Sequence, residues 1–214
     1  MTAIDRQREQ AAAGLEQLVH LARAQAWRGG DGPALPPTQA GVLRLLSGAE
    51  PEQRAQRLVQ RLGVSAASLS DTLKSMEARG WIRRRPDPAD GRASLVRLDR
   101  QGRAVAARLA GAGRGMAGLV QGLHNADVAA LLRVTQLLVA QAQEQGWATG
   151  LRTCLGCRYF RPFASGDAQR PHVCEYIGQP FGDLELRVEC AEQQPADPED
   201  FAANLERFRR PVPP

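Results

Sequence analysis

The chain contains little of the machinery from which enzymes and membrane proteins are usually built. Only 3 of its 214 residues are histidine. It has no Ser/His/Asp or His-Glu-x-x-His arrangement, and no Gly-x-Gly-x-x-Gly motif after a strand. It has no run of about 18 or more apolar residues, as a transmembrane helix would need, and no apolar signal peptide at its start. We therefore expect a cytoplasmic protein that is not an enzyme.

Positive charge is concentrated in one block of the chain. The net charge is +5, but residues 54–108 carry 13 Lys or Arg against 5 acidic residues. Residues 154–214 reverse this balance, with 7 Arg against 10 acidic residues. A basic block of this kind is the electrostatic signature of a surface that binds a polyanion such as DNA. The acidic C-terminal part is not expected to share that surface.

The basic block begins with two helices joined by a tight turn. Apolar residues recur at helical spacing from Arg54 to Leu62, and Gly63 ends that helix. Ser65 then caps a second helix. The apolar stripe of the second helix consists of Leu69, Leu73 and Met76. Short polar side chains on its other face would let it enter the major groove of DNA, so the pattern predicts a helix-turn-helix.

Two short strand-like runs follow the second helix. They are Trp81–Arg85 and Ala93–Arg97, and the Pro- and Gly-containing residues 86–92 separate them. This pattern predicts a β-hairpin with a long tip. An arginine-rich hairpin after a helix-turn-helix is typical of a wing, whose arginines would lie along phosphates or enter the adjacent minor groove. A small helical bundle with a solvent-exposed hairpin is the alternative.

Four short motifs mark this region: Leu62-Gly63-Val64-Ser65, Met76-Glu77-Ala78-Arg79-Gly80-Trp81-Ile82, Asp90-Gly91-Arg92 and Leu98-Asp99-Arg100-Gln101-Gly102. Together they resemble the DNA-binding core of MarR-type regulators, named for multiple antibiotic resistance. The resemblance implies a dimer in which Asp90 holds Arg92 and Arg92 enters the minor groove. Asp71 departs from the family, which commonly has a base- or phosphate-contacting arginine there. Asp99 replaces the usual threonine cap, and Asp caps a helix as well as Thr.

We expect the second helix and the wing to bind double-stranded DNA. The expected DNA-binding residues are Ser65, Ser68, Ser70, Asp71, Lys74, Arg84, Arg85, Asp90 and Arg92. A symmetric dimer would present its two recognition helices about 34 Å apart, one turn of DNA, and would read an inverted-repeat operator.

Apolar helices flank the predicted winged domain. Periodicity predicts a helix over Asp5–Ala26, one from the cap Thr38 to Leu46, one from Asp99 to about Arg114, and one from Asn125 or Asp127 to about Gln145. The residues Trp27 to Pro37 read as a linker rich in helix breakers. The flanking helices have more apolar surface than one protomer can cover, which favours a homodimer. A monomer that folds them back onto its own core is the alternative.

The predicted fold is therefore mostly α with a small β-hairpin wing. Residues 1–36 form an N-terminal dimerisation helix and linker, and residues 37–98 form the winged helix-turn-helix. Residues 99–150 form further dimerisation helices, and residues 151–214 form a loop-rich C-terminal module and tail. Phe201, Leu205 and Phe208 share one face of a predicted last helix, which Asp197 or Asp200 would cap. This helix is expected to pack on the module or on the partner subunit.

All four cysteines lie in the C-terminal module. Cys154, Cys157, Cys174 and Cys190 have the spacing C-x2-C-x16-C-x15-C, and five of the ten aromatic residues lie between Tyr159 and Phe181. Permanent disulfides are uncommon in the cytoplasm. A Cys-x2-Cys turn suits a tetrahedral metal centre, and a segment too short for its own core would gain folding energy from a metal. The pattern therefore predicts a metal-binding module.

The metal centre is open between an iron–sulfur cluster and zinc. Four-thiolate zinc sites usually come as two close pairs, whereas 15 residues separate Cys174 from Cys190. Well-separated cysteines inside an aromatic shell suit a larger cluster. The segment also resembles the small high-potential iron–sulfur proteins, which implies a [4Fe-4S] cluster bound by all four cysteines. His172 is a further candidate ligand, or a donor to one.

These patterns predict a MarR-type transcriptional regulator whose DNA affinity depends on a cysteine-bound [4Fe-4S] cluster that senses redox state, oxygen or iron. In the alternative, the cysteines hold a structural zinc ion, and the signal is a small molecule bound at the dimer interface. A redox enzyme that uses the winged fold as a scaffold is the third hypothesis.

Overall fold

The computed structural model describes residues 2–28, 35–48, 50–110 and 115–210. The helices are α1 (Ala3–Arg28), α2 (Pro37–Leu46), α3 (Ala55–Leu62), α4 (Ala66–Ala78), α5 (Arg100–Leu109), α6 (Gly115–Gln121), α7 (Asn125–Glu144) and α8 (Pro198–Arg209), with a 3-10 helix, η1, at Asp183–Glu185. The strands are β1 (Glu52–Arg54), β2 (Ile82–Asp87), β3 (Asp90–Leu98), β4 (Phe160–Arg161), β5 (His172–Cys174) and β6 (Gln179–Phe181). Within these ranges, no helix is long and apolar enough to cross a membrane.

Helices α2, α3 and α4 pack with the wing around one hydrophobic core. The predicted stripe of α4 is confirmed, because Leu69, Leu73 and Met76 are all buried. The other buried members of this core are Val42, Leu43, Leu46, Leu58, Ile82, Val96, Leu98 and Ala106. Burying one face of α4 leaves its polar face in solvent.

The turn between α3 and α4 has the predicted chemistry. Gly63 ends α3 in the left-handed conformation, with φ of 62°, which glycine adopts without a steric penalty. The Ser65 hydroxyl accepts a hydrogen bond from the Ser68 N–H at 3.1 Å and caps α4. Both ends of the turn are therefore fixed by local interactions.

The wing differs from its prediction in length and in partner. Strands β2 and β3 leave only Pro88 and Ala89 as the tip, so the predicted long tip is wrong. Strand β1 adds a third, antiparallel strand, pairing Glu52 with Arg97 and Gln53 with Val96. Arg54, predicted as the start of a helix, is the last residue of β1, and three residues are too few to show strand periodicity.

Several predicted helix ends are wrong by a few residues. Pro36, rather than Thr38, is the N-cap of α2. The helix itself begins with Pro37, and proline is pre-organised for the first helical position. His124 precedes α7, so neither Asn125 nor Asp127 is its cap. Helix α5 ends at Leu109 instead of continuing to about residue 114, and α6 is separate. The predicted end of α5 at residues 111–114, and most of the predicted linker, at residues 29–34, lie outside the described residues.

The four-cysteine module has a hydrophobic core shared with two helices. Its buried members are Ala140 of α7, Leu155, Cys157, Phe160, Phe181, Leu186, and Leu205 and Phe208 of α8. The last helix therefore packs on the module, as one of the two predicted possibilities had it, with Asp197 as its cap. The cysteine loops do not form this core alone, because α7 and α8 supply part of its apolar surface.

The connector after α7 packs against the turn of the helix-turn-helix. The backbone N–H groups of Thr149 and Gly150 approach the Gln60 carbonyl oxygen at 3.2 and 3.4 Å. A Cβ atom at Gly63 would lie 2.2 Å from the carbonyl oxygen of Trp147, so only glycine fits there. The turn glycine thus serves both the helix-turn-helix and its contact with the connector.

Candidate DNA-binding surface and four-cysteine module

The outer face of α4 carries the polar residues that the sequence predicted. Ser68, Asp71 and Lys74 are exposed, as is the cap Ser65, and Ser70 is half-buried. Lys74 Nζ lies 3.4 Å from Asp71 Oδ1, one helical turn away. Asp71, the position that departs from the MarR pattern, therefore offsets the one cationic side chain on this face.

The arginines of strand β2 are paired with carboxylates. Arg84 donates two hydrogen bonds to Glu77, and Arg85 forms a bidentate pair with Glu52 at 2.9 and 2.6 Å. Hydrogen bonds from these arginines lower the pKa of both Glu77 and Glu52. To contact DNA, Arg84 and Arg85 would each have to exchange a carboxylate partner for a phosphate.

The wing tip presents Arg92 to solvent. Asp90 accepts a hydrogen bond from the backbone N–H of Arg92 at 3.1 Å, so it fixes the backbone of the tip. Asp87, which the sequence analysis did not single out, is buried and accepts hydrogen bonds from the Ala89 N–H at 2.9 Å and from Arg54 Nε at 2.6 Å. These contacts lower the pKa of Asp87, the Ala89 hydrogen bond most strongly. The tip is thus held by two aspartates.

The four cysteines are free thiols, three of them in loops and Cys174 at the end of β5. Cys157 is buried, and the other three are half-buried. The pKa of Cys154 is raised to about 11, chiefly by burial; a backbone hydrogen bond opposes this rise, and the thiols of Cys190, Cys157 and Cys174 contribute to it. That bond comes from the Arg187 N–H, 3.2 Å from Cys154 Sγ. The segment therefore brings together the four cysteines that the sequence predicted.

Within the described residues, no group of three or more His, Cys, Asp or Glu side chains forms a metal-binding arrangement. The thiols of Cys157, Cys174 and Cys190 nevertheless act on the pKa of Cys154, because charged groups influence one another over several ångströms. The module therefore groups the four thiols without arranging them as the ligands of a metal ion.

His172 lies in a pocket of phenylalanine rings. It is fully buried, and its ring lies 5.0 to 5.5 Å, between centroids, from those of Phe160, Phe163, Phe181 and Phe208. Nε2 is 2.8 Å from Asp183 Oδ1, and Nδ1 faces the Phe163 N–H at 3.4 Å. Both ring nitrogens have protein partners, so His172 does not act as a metal ligand in this structure.

Gln136 anchors the cysteine loops to α7. Its side chain is fully buried. Oε1 accepts a hydrogen bond from the Leu155 N–H, and Nε2 donates one to the Arg187 carbonyl oxygen, both at 3.0 Å. Arg187 in turn holds Cys154 through two backbone contacts, one to its sulfur and one from its N–H. Sequence periodicity missed Gln136, although a lone polar residue between apolar neighbours on a helix is the signal that could have found it.

Arg133 makes a second anchor one turn earlier on α7. Its guanidinium lies over the ring of Phe208 at 4.3 Å and donates hydrogen bonds to the carbonyl oxygens of Phe208 and Arg210. Arg133 Nη1 is also 3.8 Å from Asp183 Oδ1. Helix α7 is therefore fixed to both the cysteine loops and the end of α8.

Comparison with known proteins finds a family match for the winged domain. The model of the MarR family matches residues 35–93. A probable transcriptional regulator from Pseudomonas aeruginosa is 33% identical, with 45% of this chain and 71% of that chain covered, at a TM-score of 0.40. The PcaV regulator of Streptomyces coelicolor, solved with its natural ligand, is 24% identical, with 66% and 97% covered, at a TM-score of 0.51.

FabT of Streptococcus pneumoniae, solved in complex with DNA, is 16% identical, with 66% of this chain and 99% of that chain covered, at a TM-score of 0.53. Among curated proteins, none matches the chain.

The helix-turn-helix and its wing define a DNA-binding protein of the winged-helix class. The family match over these same elements supports a transcriptional regulator of the MarR family. The matched residues end before the first cysteine.

Replacing Gln136 with Met tests its role as an anchor. Met keeps the length of the side chain but leaves the buried Leu155 N–H without its acceptor, whereas the Arg187 carbonyl oxygen keeps the hydrogen bond from the Cys154 N–H. A buried unsatisfied group costs on the order of 1–3 kcal/mol, so we expect the variant to lose about 2 kcal/mol of unfolding free energy in urea denaturation. Gln141→Met, on the exposed side of α7, should change it by less than about 0.5 kcal/mol. Equal effects of the two substitutions would contradict the assignment.

Proposed function

We propose that the chain is a homodimeric, sequence-specific transcriptional regulator whose four-cysteine module binds a [4Fe-4S] cluster and tunes its affinity for DNA. The observation that carries the DNA-binding part is the division of α4 into a fully packed inner face and a solvent-exposed polar face next to an arginine-tipped wing. A helix of this kind is positioned by its buried face and reads base edges with the other.

DNA contact has a clear electrostatic basis on this surface. Arg92 is exposed at the end of a wing whose backbone is fixed, so it can enter a minor groove without ordering a loop first. The N-terminus of α4, with its cap Ser65, presents backbone N–H groups that favour a phosphate. Arg84 and Arg85 add charge after releasing Glu77 and Glu52.

Exposed apolar side chains support a homodimer. Helix α1 packs on α6, and both leave large apolar residues in solvent, as does α7. These residues are Leu15, Leu18, Val19, Leu21, Met116, Leu119, Leu123, Leu131, Val134 and Leu138. This many exposed apolar side chains exceed the scattered exposure of a monomer. A second copy of the chain would cover them and would pair two recognition helices for an inverted repeat.

The cysteine module is the proposed regulatory element. The proposal is supported by four free thiols in one module, three of which act on the pKa of Cys154, and by the aromatic core against which Cys154, Cys157 and Cys174 pack. Burial raises the pKa of Cys154 and so disfavours its thiolate, so binding of a positive centre there would release its proton. A bound cluster would supply sensitivity to redox state, oxygen or iron. We place the protein in the reducing cytoplasm, where such thiols persist.

A cleft between α2 and α5 favours the alternative regulator. It has a volume of about 600 Å³ and is lined in part by Leu46, Pro51, Arg97, Leu98 and Arg103. This volume lies within the usual range for small-molecule sites, and its two arginines suit a carboxylate-bearing ligand. In this alternative the cysteines hold a structural zinc ion, and occupancy of the cleft sets the DNA affinity.

Arg92→Ala tests the DNA-binding surface. DNA selected by the protein from a randomised duplex pool serves as the probe, and its affinity is measured over a range of salt concentrations. We expect weaker binding. The slope of log affinity against log salt concentration should fall in magnitude by about 0.9 for each wing that loses a phosphate contact. Arg207→Ala, which removes the same charge from the exposed side of α8, should leave the slope unchanged. An unchanged slope for Arg92→Ala would show that the wing does not touch DNA.

Cys157→Ser tests the cofactor and its regulatory role together. The variant should lose most of its iron and acid-labile sulfide, because one of four ligands is gone. It should also shift the affinity for the selected DNA, by about fivefold or more. Ser165→Ala, in the same module but away from the thiols, should retain wild-type iron and affinity. If Cys157→Ser changes neither quantity, the proposed regulation is wrong.

A further inference from the structure

Four charged side chains cross the boundary between the cysteine module and the helix-turn-helix. Arg61 and Glu50 belong to the winged domain, and Arg152 and Glu189 belong to the module. Arg61 Nη2 lies 2.5 Å from Glu189 Oε2, and Arg152 Nη1 lies 2.8 Å from Glu50 Oε1. Each domain thus contributes one arginine and one glutamate, and the short pairs all run between domains.

The side chains of both arginines are buried, so the loss of an ion pair here would be costly. Only 2% of the Arg61 side chain and 4% of the Arg152 side chain are exposed. A buried guanidinium that loses its carboxylate is left with an uncompensated charge, whereas an exposed pair is screened by water. Within the described residues, the Nε atoms of both arginines have no hydrogen-bond partner. Only some of the N–H donors of the two arginines are therefore paired, and the cluster depends on the carboxylates of Glu50 and Glu189.

On the module side, both members of the cluster are next to cysteines. Glu189 immediately precedes Cys190, and Arg152 lies two residues before Cys154. The Cys190 N–H donates to the Arg152 carbonyl oxygen at 3.0 Å, and Arg152 and Glu189 form a β-bridge. The two loops that carry these thiols therefore meet at the ion pairs. A change in the separation of Cys154 and Cys190 would therefore also displace Arg152 and Glu189.

On the winged-domain side, Arg61 connects to both DNA-reading elements. It lies in the last turn of α3, two residues before Gly63 and four before the cap of α4. Its Nη1 donates to Gln53 Oε1 at 2.8 Å. Gln53 lies in β1, which pairs with wing strand β3. A Cβ atom at Gly150 would lie 2.8 Å from Arg61 Cγ, so the connector also packs tightly on this side chain.

We infer that this ion-pair cluster transmits the state of the cysteine site to the helix-turn-helix and wing of the same protomer. The inference rests on the proposed function and names its regulatory contact. With the cysteine loops held together, Glu189 and Arg152 fix the end of α3. When the loops separate, Glu189 leaves Arg61, and the orientation of α3, α4 and β1 relative to α7 is no longer set. In a dimer this changes the spacing of the two recognition helices.

Glu189→Gln provides the test, because it removes the charge and keeps the shape. Affinity for the selected DNA is measured for wild type, Glu189→Gln, Cys157→Ser and the double variant. We expect Cys157→Ser to change the affinity about tenfold in the wild-type background and by less than about twofold in the Glu189→Gln background, since the ion pair that joins the Cys190 loop to Arg61 of α3 is already absent. Glu206→Gln, which breaks an exposed ion pair on α8, serves as the matched control and should preserve the full tenfold response.

The outcomes separate this inference from the function on which it rests. If Cys157→Ser alters the affinity equally in both backgrounds, regulation by the module stands and the ion-pair route is overturned. If Cys157→Ser has no effect in the wild-type background, the proposed regulation fails, and the inference fails with it. Iron content and helical circular dichroism of Glu189→Gln should match the wild type.

Hydrogen exchange gives a second readout that needs neither DNA nor Glu189→Gln. Comparing wild type with Cys157→Ser, amides at the end of α3 and in the turn to α4 should exchange faster in the variant, because the ion pairs no longer fix Arg61. Amides of the wing tip, held by Asp87 and Asp90, serve as the internal reference and should not change. Unchanged exchange at residues 59–65 would overturn the inference.

Discussion

The structure depends on how helix α7 satisfies a fully buried polar side chain. The Gln136 amide lies inside an apolar interface and bonds the Leu155 N–H and the Arg187 carbonyl oxygen at 3.0 Å. An unpaired amide at this depth would be costly, so the helix and the two loops have one mutual arrangement. That arrangement places the sulfur of Cys154 against the Arg187 N–H and gives the module a core that it could not form without α7.

The cysteine module consequently has firm contacts on two sides. On one side, Gln136 and Arg133 attach it to a helix whose other face exposes Leu131, Val134 and Leu138 for a second copy of the chain. On the other side, two buried arginines attach it to α3 and, through Gln53, to the sheet of the wing. A module between a dimer helix and a DNA-reading domain can bias their relative orientation, which is the quantity that decides whether two recognition helices fit one turn of DNA.

Local sequence signals predicted the winged domain and the set of cysteines. Gly63, Ser65 and the stripe Leu69, Leu73 and Met76 act within one or two helical turns, so periodicity and capping rules reveal them. The contacts that connect the parts were not predictable in this way. Gln136 bonds residues 19 and 51 positions away, and β1 is recognisable as a strand only after it pairs with β3. His172, which the sequence offered as a metal ligand, is instead enclosed by phenylalanines brought together from several elements.

The most direct test of the account is the iron, zinc and acid-labile sulfide content of protein purified without oxygen, together with its visible absorption spectrum. The account predicts a brown protein with about four irons and four sulfides per chain, bound by the four converging thiols. A colourless protein with one zinc per chain would contradict the cluster, make the module structural and transfer regulation to the cleft between α2 and α5. A protein with neither metal would contradict both forms of the proposal.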